Sequence, residues 1–144
     1  MNKKAIVVYV DNIEVNIIEF SWLYKTFMMY ELYNEYDIVC YCNPNAITKI
    51  PQHENIIIKS LEPLNISGSF WEAYGFVNSF AMFNEPEEET WIRERYEYIL
   101  KTDCDVFLTK NILGYEPDKL MVGMGGYMSQ SPDTVLPNLI RIKD

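Results

Sequence analysis

The sequence is short of bases, histidine and cysteine, and it has no long apolar run. Lys and Arg number 12 against 21 Asp and Glu, a formal net charge of −9. Binding carried by phosphate contacts needs clustered Lys and Arg, so this balance tells against nucleic acid and anionic membrane surfaces as partners. Three cysteines cannot all pair within the chain. Cys40 and Cys42 alternate along an expected strand rather than forming a metal knuckle, and the count suits a reducing, cytoplasmic setting. The most apolar helical stretch, from Val15 to Tyr33, is interrupted by Asn16, Glu19, Ser21, Lys25 and Glu31, which excludes it as a membrane span. Met1-Asn2-Lys3-Lys4 before Ala5–Val10 imitates a signal peptide. The apolar run stops at Asp11-Asn12 with no small-residue cleavage site, which predicts a buried first strand instead. Repeats and low-complexity tracts are absent.

The chain does have a globular composition, 49% hydrophobic with 15% aromatics over 144 residues. One domain spanning residues 1–144 is expected. Ala5–Val10 is a continuous β-branched and aromatic run, the pattern of a strand covered on both faces. Ile17, Phe20, Leu23, Tyr24, Phe27 and Tyr30 then recur at helical spacing and predict an amphipathic helix. Asp37–Cys42 and Asn55–Lys59 read as further strands, the first closed by Asn43-Pro44-Asn45. A helical apolar face recurs over Ser69–Phe83. Asn84–Thr90 reads as the start of another helix, with Pro86 and acids in its first turn. Tyr96–Leu100 returns to strand composition, Val106–Thr109 reads as a short extended piece, and Leu120–Met124 suggests a last strand before Gly125-Gly126. Strands separated by helices or long crossovers predict an α/β fold with a mostly parallel sheet and flanking helices.

Asp103 and Asp105 stand at the carboxyl end of one expected strand, where open α/β sheets bind ligands. In an extended backbone residues two apart share a side, so the two carboxylates would face one site and Cys104 the other. Hard oxygen ligands of this kind suit Mg²⁺ or Mn²⁺, which bind one or two carboxylates plus substrate phosphates. A cation is what an acidic chain needs to hold an anion. Like charges ~4 Å apart repel by roughly 4 kcal/mol at an effective dielectric of 20, and an interposed dication reverses the sign. The same spacing also suits two aspartates that cap a turn after a strand.

Tyr98-Ile99-Leu100-Lys101-Thr102-Asp103-Cys104-Asp105-Val106-Phe107-Leu108-Thr109 resembles the D-x-D segment of glycosyltransferases with the GT-A fold, a Rossmann-like nucleotide-diphospho-sugar transferase core. Tyr74–Ser79 and Val122–Tyr127 resemble segments of one branch of those proteins. The resemblance implies a metal-dependent glycosyltransferase that moves a sugar from a nucleotide-sugar donor, a UDP- or GDP-sugar, to a glycan or other small acceptor. It implies that Asp105 coordinates Mn²⁺ or Mg²⁺, that Asp103 contacts the ribose or the metal shell, and that Tyr9, Val10 and Asp11 receive the base and ribose. The metal would act as a Lewis acid on the departing nucleoside diphosphate.

Departures from that pattern bear on catalysis. Such enzymes commonly supply a further metal ligand, often histidine, well after the motif, and here the only histidine, His53, precedes it. The catalytic base and acceptor half also usually follow, so the chain reads as a trimmed core or as one whose activity depends on something absent. His53 lies in a polar loop pattern and is expected at the surface. Arg93 and Arg95 are expected as solvated helix charges, with a diphosphate contact as the alternative. Trp22, Trp71 and Trp91 could stack on sugar or base, with core packing the commoner role. Two rival functions are a non-catalytic nucleotide-sugar-binding remnant or partner subunit, and a haloacid-dehalogenase-like phosphohydrolase. The phosphohydrolase pattern places its acidic pair after the first strand with a small or β-branched residue two positions on, where this chain has Phe107.

Overall fold

The structure is a computed structural model that describes residues 4–63, 78, 82, 83 and 85–119. The helix expected over Ser69–Phe83, apart from Asn78, Met82 and Phe83, lies outside the described residues. So do the strand expected over Leu120–Met124, the Gly125-Gly126 pair and the tail. Four strands, β1 (Lys4–Val10), β2 (Tyr36–Cys42), β3 (Ile56–Ser60) and β4 (Tyr98–Lys101), form a sheet of order β3-β2-β1-β4. All three pairings are parallel. Among the described residues two α-helices, α1 (Glu14–Met29) and α2 (Pro86–Arg95), flank the sheet and make the architecture α/β.

β1 and β2 are buried along their whole length, as central parallel strands with both faces covered must be. Alternate residues feed two cores. Ile6, Val8 and Val10 meet Phe20, Leu23 and Phe27 of α1 on one face. Ala5, Val7 and Tyr9 meet Ile92 and Trp91 of α2 on the other. Each fully buried Phe or Leu of α1 contributes about 1.5–3 kcal/mol by leaving water. Tyr30, expected on the apolar face, instead caps the end of α1 and is exposed. There Glu31 takes a left-handed conformation (φ 53°) that turns the chain toward β2.

The helix with proline and acids in its first turn is α2. The strand after it starts two residues later than the composition predicts. Tyr96 N–H closes the last turn of α2 on Ile92 O, and the Tyr96 ring is buried with its hydroxyl donating to Asp37 (3.0 Å). Val106–Thr109 is irregular backbone outside the sheet rather than a strand extension. At the amino end of the sheet Lys4 pairs with Glu35 (2.9 Å) and Glu116 (3.1 Å). Gly114 N–H donates to the same Glu35 carboxylate, which ties the segment after β4 beneath the strands.

Candidate functional site

The strand order fixes where a ligand crevice can lie. From β1 the chain moves outward through β2 to β3, then crosses to the other side of β1 to lay down β4. β1 and β4 are neighbours although β2 and β3 come between them in the chain, and the gap outside the carboxyl ends at such a reversal of strand order is the switch point where open α/β sheets take ligands. Asp11 follows β1 there and Asp103 follows β4. Pairing stops at Val7 with Lys101, with Thr102 N–H reaching Val7 O at 3.0 Å, so β1 projects beyond β4 on this side.

Past Thr102 the chain leaves the sheet and runs beside α1. Cys104 Sγ lies 3.8 Å from Glu19 Oε2, the Phe107 ring stacks on Trp22, and Leu108 N–H donates to buried Thr26 Oγ1 at 3.0 Å. Contacts advance along the segment as they advance along the helix, so α1 carries the acidic turn. Within it Cys104 is buried, while Asp103 and Asp105 are both exposed. Both carboxylates are in solvent, and the backbone at Cys104-Asp105 is a turn rather than the extended strand expected.

The two aspartates differ in their surroundings. Lys101 Nζ lies 3.5 Å from Asp103 Oδ1 and donates to Thr102 O at 2.8 Å. Burial holds the Lys101 ammonium below its usual range, against the pull of Asp103. Asp105 has no hydrogen bond or ion pair among the described residues. Burial, reinforced by Glu19 and Asp105, pushes the Cys104 thiol up to about 12. It is protonated at neutral pH and is neither a nucleophile nor a metal ligand there.

On the β1 side Asp11 accepts from its neighbour Asn12 N–H (2.7 Å) and from Asn43 Nδ2 (3.2 Å). Lys49 Nζ donates to Asn12 Oδ1 at 2.7 Å. The Val10 side chain is wholly in the core and its carbonyl is taken by Asn43 N–H, so Val10 offers a ligand no side chain. Tyr9 lies on the α2 face, and its buried hydroxyl has no partner among the described residues. Burial raises that phenol well above its usual range, with Asp11, Cys42 and Glu62 adding to the effect. The first turn of α1 begins two residues beyond Asn12, and Ile13 at its cap supplies no side-chain acceptor. Unpaired backbone N–H groups at such a helix start attract anions.

Other expected binders lie elsewhere. His53 is half-buried between Tyr24 and Tyr33 and accepts Asn55 N–H at Nδ1 (3.1 Å), a loop role. Arg93 pairs with Glu89 one turn back in solvent. Arg95 lies over the Trp91 and Tyr96 rings, just ahead of β4 and so at the opposite end of that strand from Asp103. Trp91 packs against the second core beneath Lys59 Nζ, 3.7 Å from its centroid. Trp71 lies outside the described residues. Trp22, by contrast, is exposed. Composition gave no notice of Asn43, Lys49 or Lys101 at the crevice. The asparagine after the second strand was the available sign, because equal-length parallel neighbours end together.

Among the described residues no three His, Cys, Asp or Glu side chains are grouped to hold a metal ion. Asp103 and Asp105 nonetheless form an exposed pair of hard oxygen donors, the chemistry that suits Mg²⁺ or Mn²⁺ completed by ligand oxygens. No described helix is long and apolar enough to cross a membrane. No curated protein and no solved structure matches the chain. The family described as Domain of unknown function (DUF7164) matches residues 1–136, and the chain belongs to that family.

Proposed function

We propose that this chain is a metal-dependent glycosyltransferase domain of GT-A type. It takes a UDP- or GDP-sugar in the crevice between the ends of β1 and β4 and passes the sugar to a glycan or other small acceptor. The reading is carried by one observation: Asp11 and the Asp103–Asp105 turn follow the carboxyl ends of the neighbouring strands β1 and β4, where the strand order reverses.

Asp105 is assigned to the Mn²⁺ or Mg²⁺ ion, because no other described group competes for its carboxylate. Asp103, steadied by Lys101, takes the ribose or the metal shell. Asp11, oriented by Asn43, takes the ribose and base side of the donor, while Tyr9 and Val10, buried on opposite faces of β1, fix the strand end from which Asp11 projects. A bound cation would supply Lewis-acid stabilisation of the nucleoside diphosphate as it leaves.

Calorimetry with UDP- and GDP-sugars, with and without Mn²⁺, tests the assignment. The wild-type chain is expected to bind one donor only with metal present. Asp105→Asn is expected to weaken that binding at least tenfold, about 1.4 kcal/mol or more, without lowering the thermal midpoint. Donor binding indifferent to metal and to Asp105→Asn would refute the site. Metal-dependent binding with no release of nucleoside diphosphate would identify a non-catalytic sugar-nucleotide binder.

A further inference from the structure

Beside the acidic turn the surface presents an aromatic pair that the donor reading does not use. Phe107 is 65% exposed and Trp22 46% exposed, yet their rings are ordered against each other at 6.0 Å with planes 12° apart. Val15 and Ile18 are also exposed, and with Trp22 they recur at one face of α1 and extend the apolar surface along the helix. Large exposed apolar side chains gathered in one place mark a binding surface more often than scattered ones do. Leu108, the next residue after Phe107, is fixed to α1 through Thr26, so the Phe107 ring is held out on a braced backbone.

We propose that Trp22 and Phe107 form the acceptor subsite, a stacked ring pair whose exposed face takes a neutral sugar ring beside the Asp103–Asp105 turn. This inference rests on the transferase reading. Distance favours it, since two residues span at most about 7 Å and Phe107 is two residues from Asp105. Charge favours it as well. The faces of aromatic rings are electron-rich and suit the weakly positive C–H face of a sugar. The neighbouring carboxylates of Asp103 and Asp105 are acceptor-only groups that suit its hydroxyls. An anionic partner would meet repulsion from the same carboxylates. A ring stacked here brings its hydroxyls next to the sugar to be transferred, the proximity that group transfer requires.

The test uses the full chain without metal or nucleotide, probed by saturation-transfer NMR. The probes are neutral oligosaccharides: cellotetraose, maltotetraose, mannotriose and tri-N-acetylchitotriose. At least one is expected to bind at millimolar concentration. Phe107→Ala and Trp22→Ala are each expected to weaken it fivefold or more, while Phe107→Tyr retains it and thermal melting shows every variant folded. Binding of no probe, or binding unchanged by both alanine variants, overturns the proposal. So does a self-association, seen by sedimentation, that Trp22→Ala dissolves without any saccharide effect, because a second copy would then be the occupant. Saccharide binding that both alanine variants weaken, in a chain whose calorimetry shows no metal-dependent donor binding, would instead refute the donor assignment and leave the ring pair as a saccharide site.

Discussion

Cys104 shows how one buried side chain can aim two others. Its thiol enters the core beside Glu19, and the carboxylates before and after it are left in water. Burial also removes its reactivity, as it does for Cys40, whose thiol is pushed far up in the interior. The Cys42 thiol is lowered by its contact with Cys40, but it has no solvent exposure. The native chain at neutral pH is therefore expected to take up iodoacetamide at least a hundredfold more slowly than the unfolded chain, which alkylates at all three cysteines. Rapid labelling of Cys104 in the folded protein, read by peptide mass mapping, would contradict its placement. At Glu31 a side chain stands where the backbone is left-handed. That conformation costs a non-glycine residue roughly 1–2 kcal/mol, and glycine returns about half as entropy of the unfolded chain. Glu31→Gly should accordingly stabilise the fold by about 0.5–1 kcal/mol in urea melts. A loss of stability would mean that the Glu31 side chain contributes more than its backbone costs.

At the scale of elements, α1 both covers one face of the sheet and carries the acidic turn. Phe20 and Phe27 perform the first task and Thr26 the second, donating to Leu23 O and accepting Leu108 N–H while itself buried. Thr26→Val keeps the shape and leaves the Leu108 N–H buried without a partner. It should cost about 1–3 kcal/mol and speed amide exchange at Leu108 more than at Val8. Equal exchange at both would show that the turn is not moored there. Phe20→Ala, a pure loss of core volume, should cost about 3–5 kcal/mol. These elements differ in how plainly the sequence announces them. Ala5–Val10 and Asp37–Cys42 are legible because a strand buried on both faces needs an unbroken apolar run, and α1 because its buried stripe has a helical period. β4 starts two residues later than its composition suggests because Tyr96, β-like in composition, is consumed by the end of α2 and by Asp37, far away in sequence. The turn after Asp103 is hidden for the same reason: the partners of its segment, Glu19, Trp22 and Thr26, lie about eighty residues upstream, and no local pattern names them.

Among the described residues the sheet has an amino end tied by ion pairs and a carboxyl end that carries acids. Lys4, Glu35 and Glu116 bind three segments together beneath the strands, whereas Asp11, Asp103 and Asp105 face outward above them. Carboxylates at the sheet's end were legible from the Asp-x-Asp spacing, but the strand order that sets Asp11 opposite them was not, because long-range pairing leaves no mark in one chain. Buried tyrosines line both cores, and they make the fold sensitive to alkali. Burial raises the phenols of Tyr9, Tyr36, Tyr41 and Tyr96 above their usual 10.0, with Tyr96 pushed up to about 12. Lys4 also titrates higher than usual, its burial outweighed by Glu35 and Glu116. A group whose folded pKa is raised contributes stability that is whole below the unfolded value and is lost as pH rises through the folded one. Stability should therefore hold up to about pH 9, where the unfolded thiols of Cys40 and Cys104 start to ionise, and fall more steeply from about pH 10 toward pH 12 as the unfolded phenols follow. Tyr41→Phe keeps the ring, removes one titrating group with its bond to Glu88, and should make that decline shallower. Urea midpoints across the alkaline range, read together with phenolate absorbance at 295 nm, measure both effects. If all eleven tyrosines ionised near pH 10 with the circular dichroism intact, the buried phenols could not be where the sheet places them.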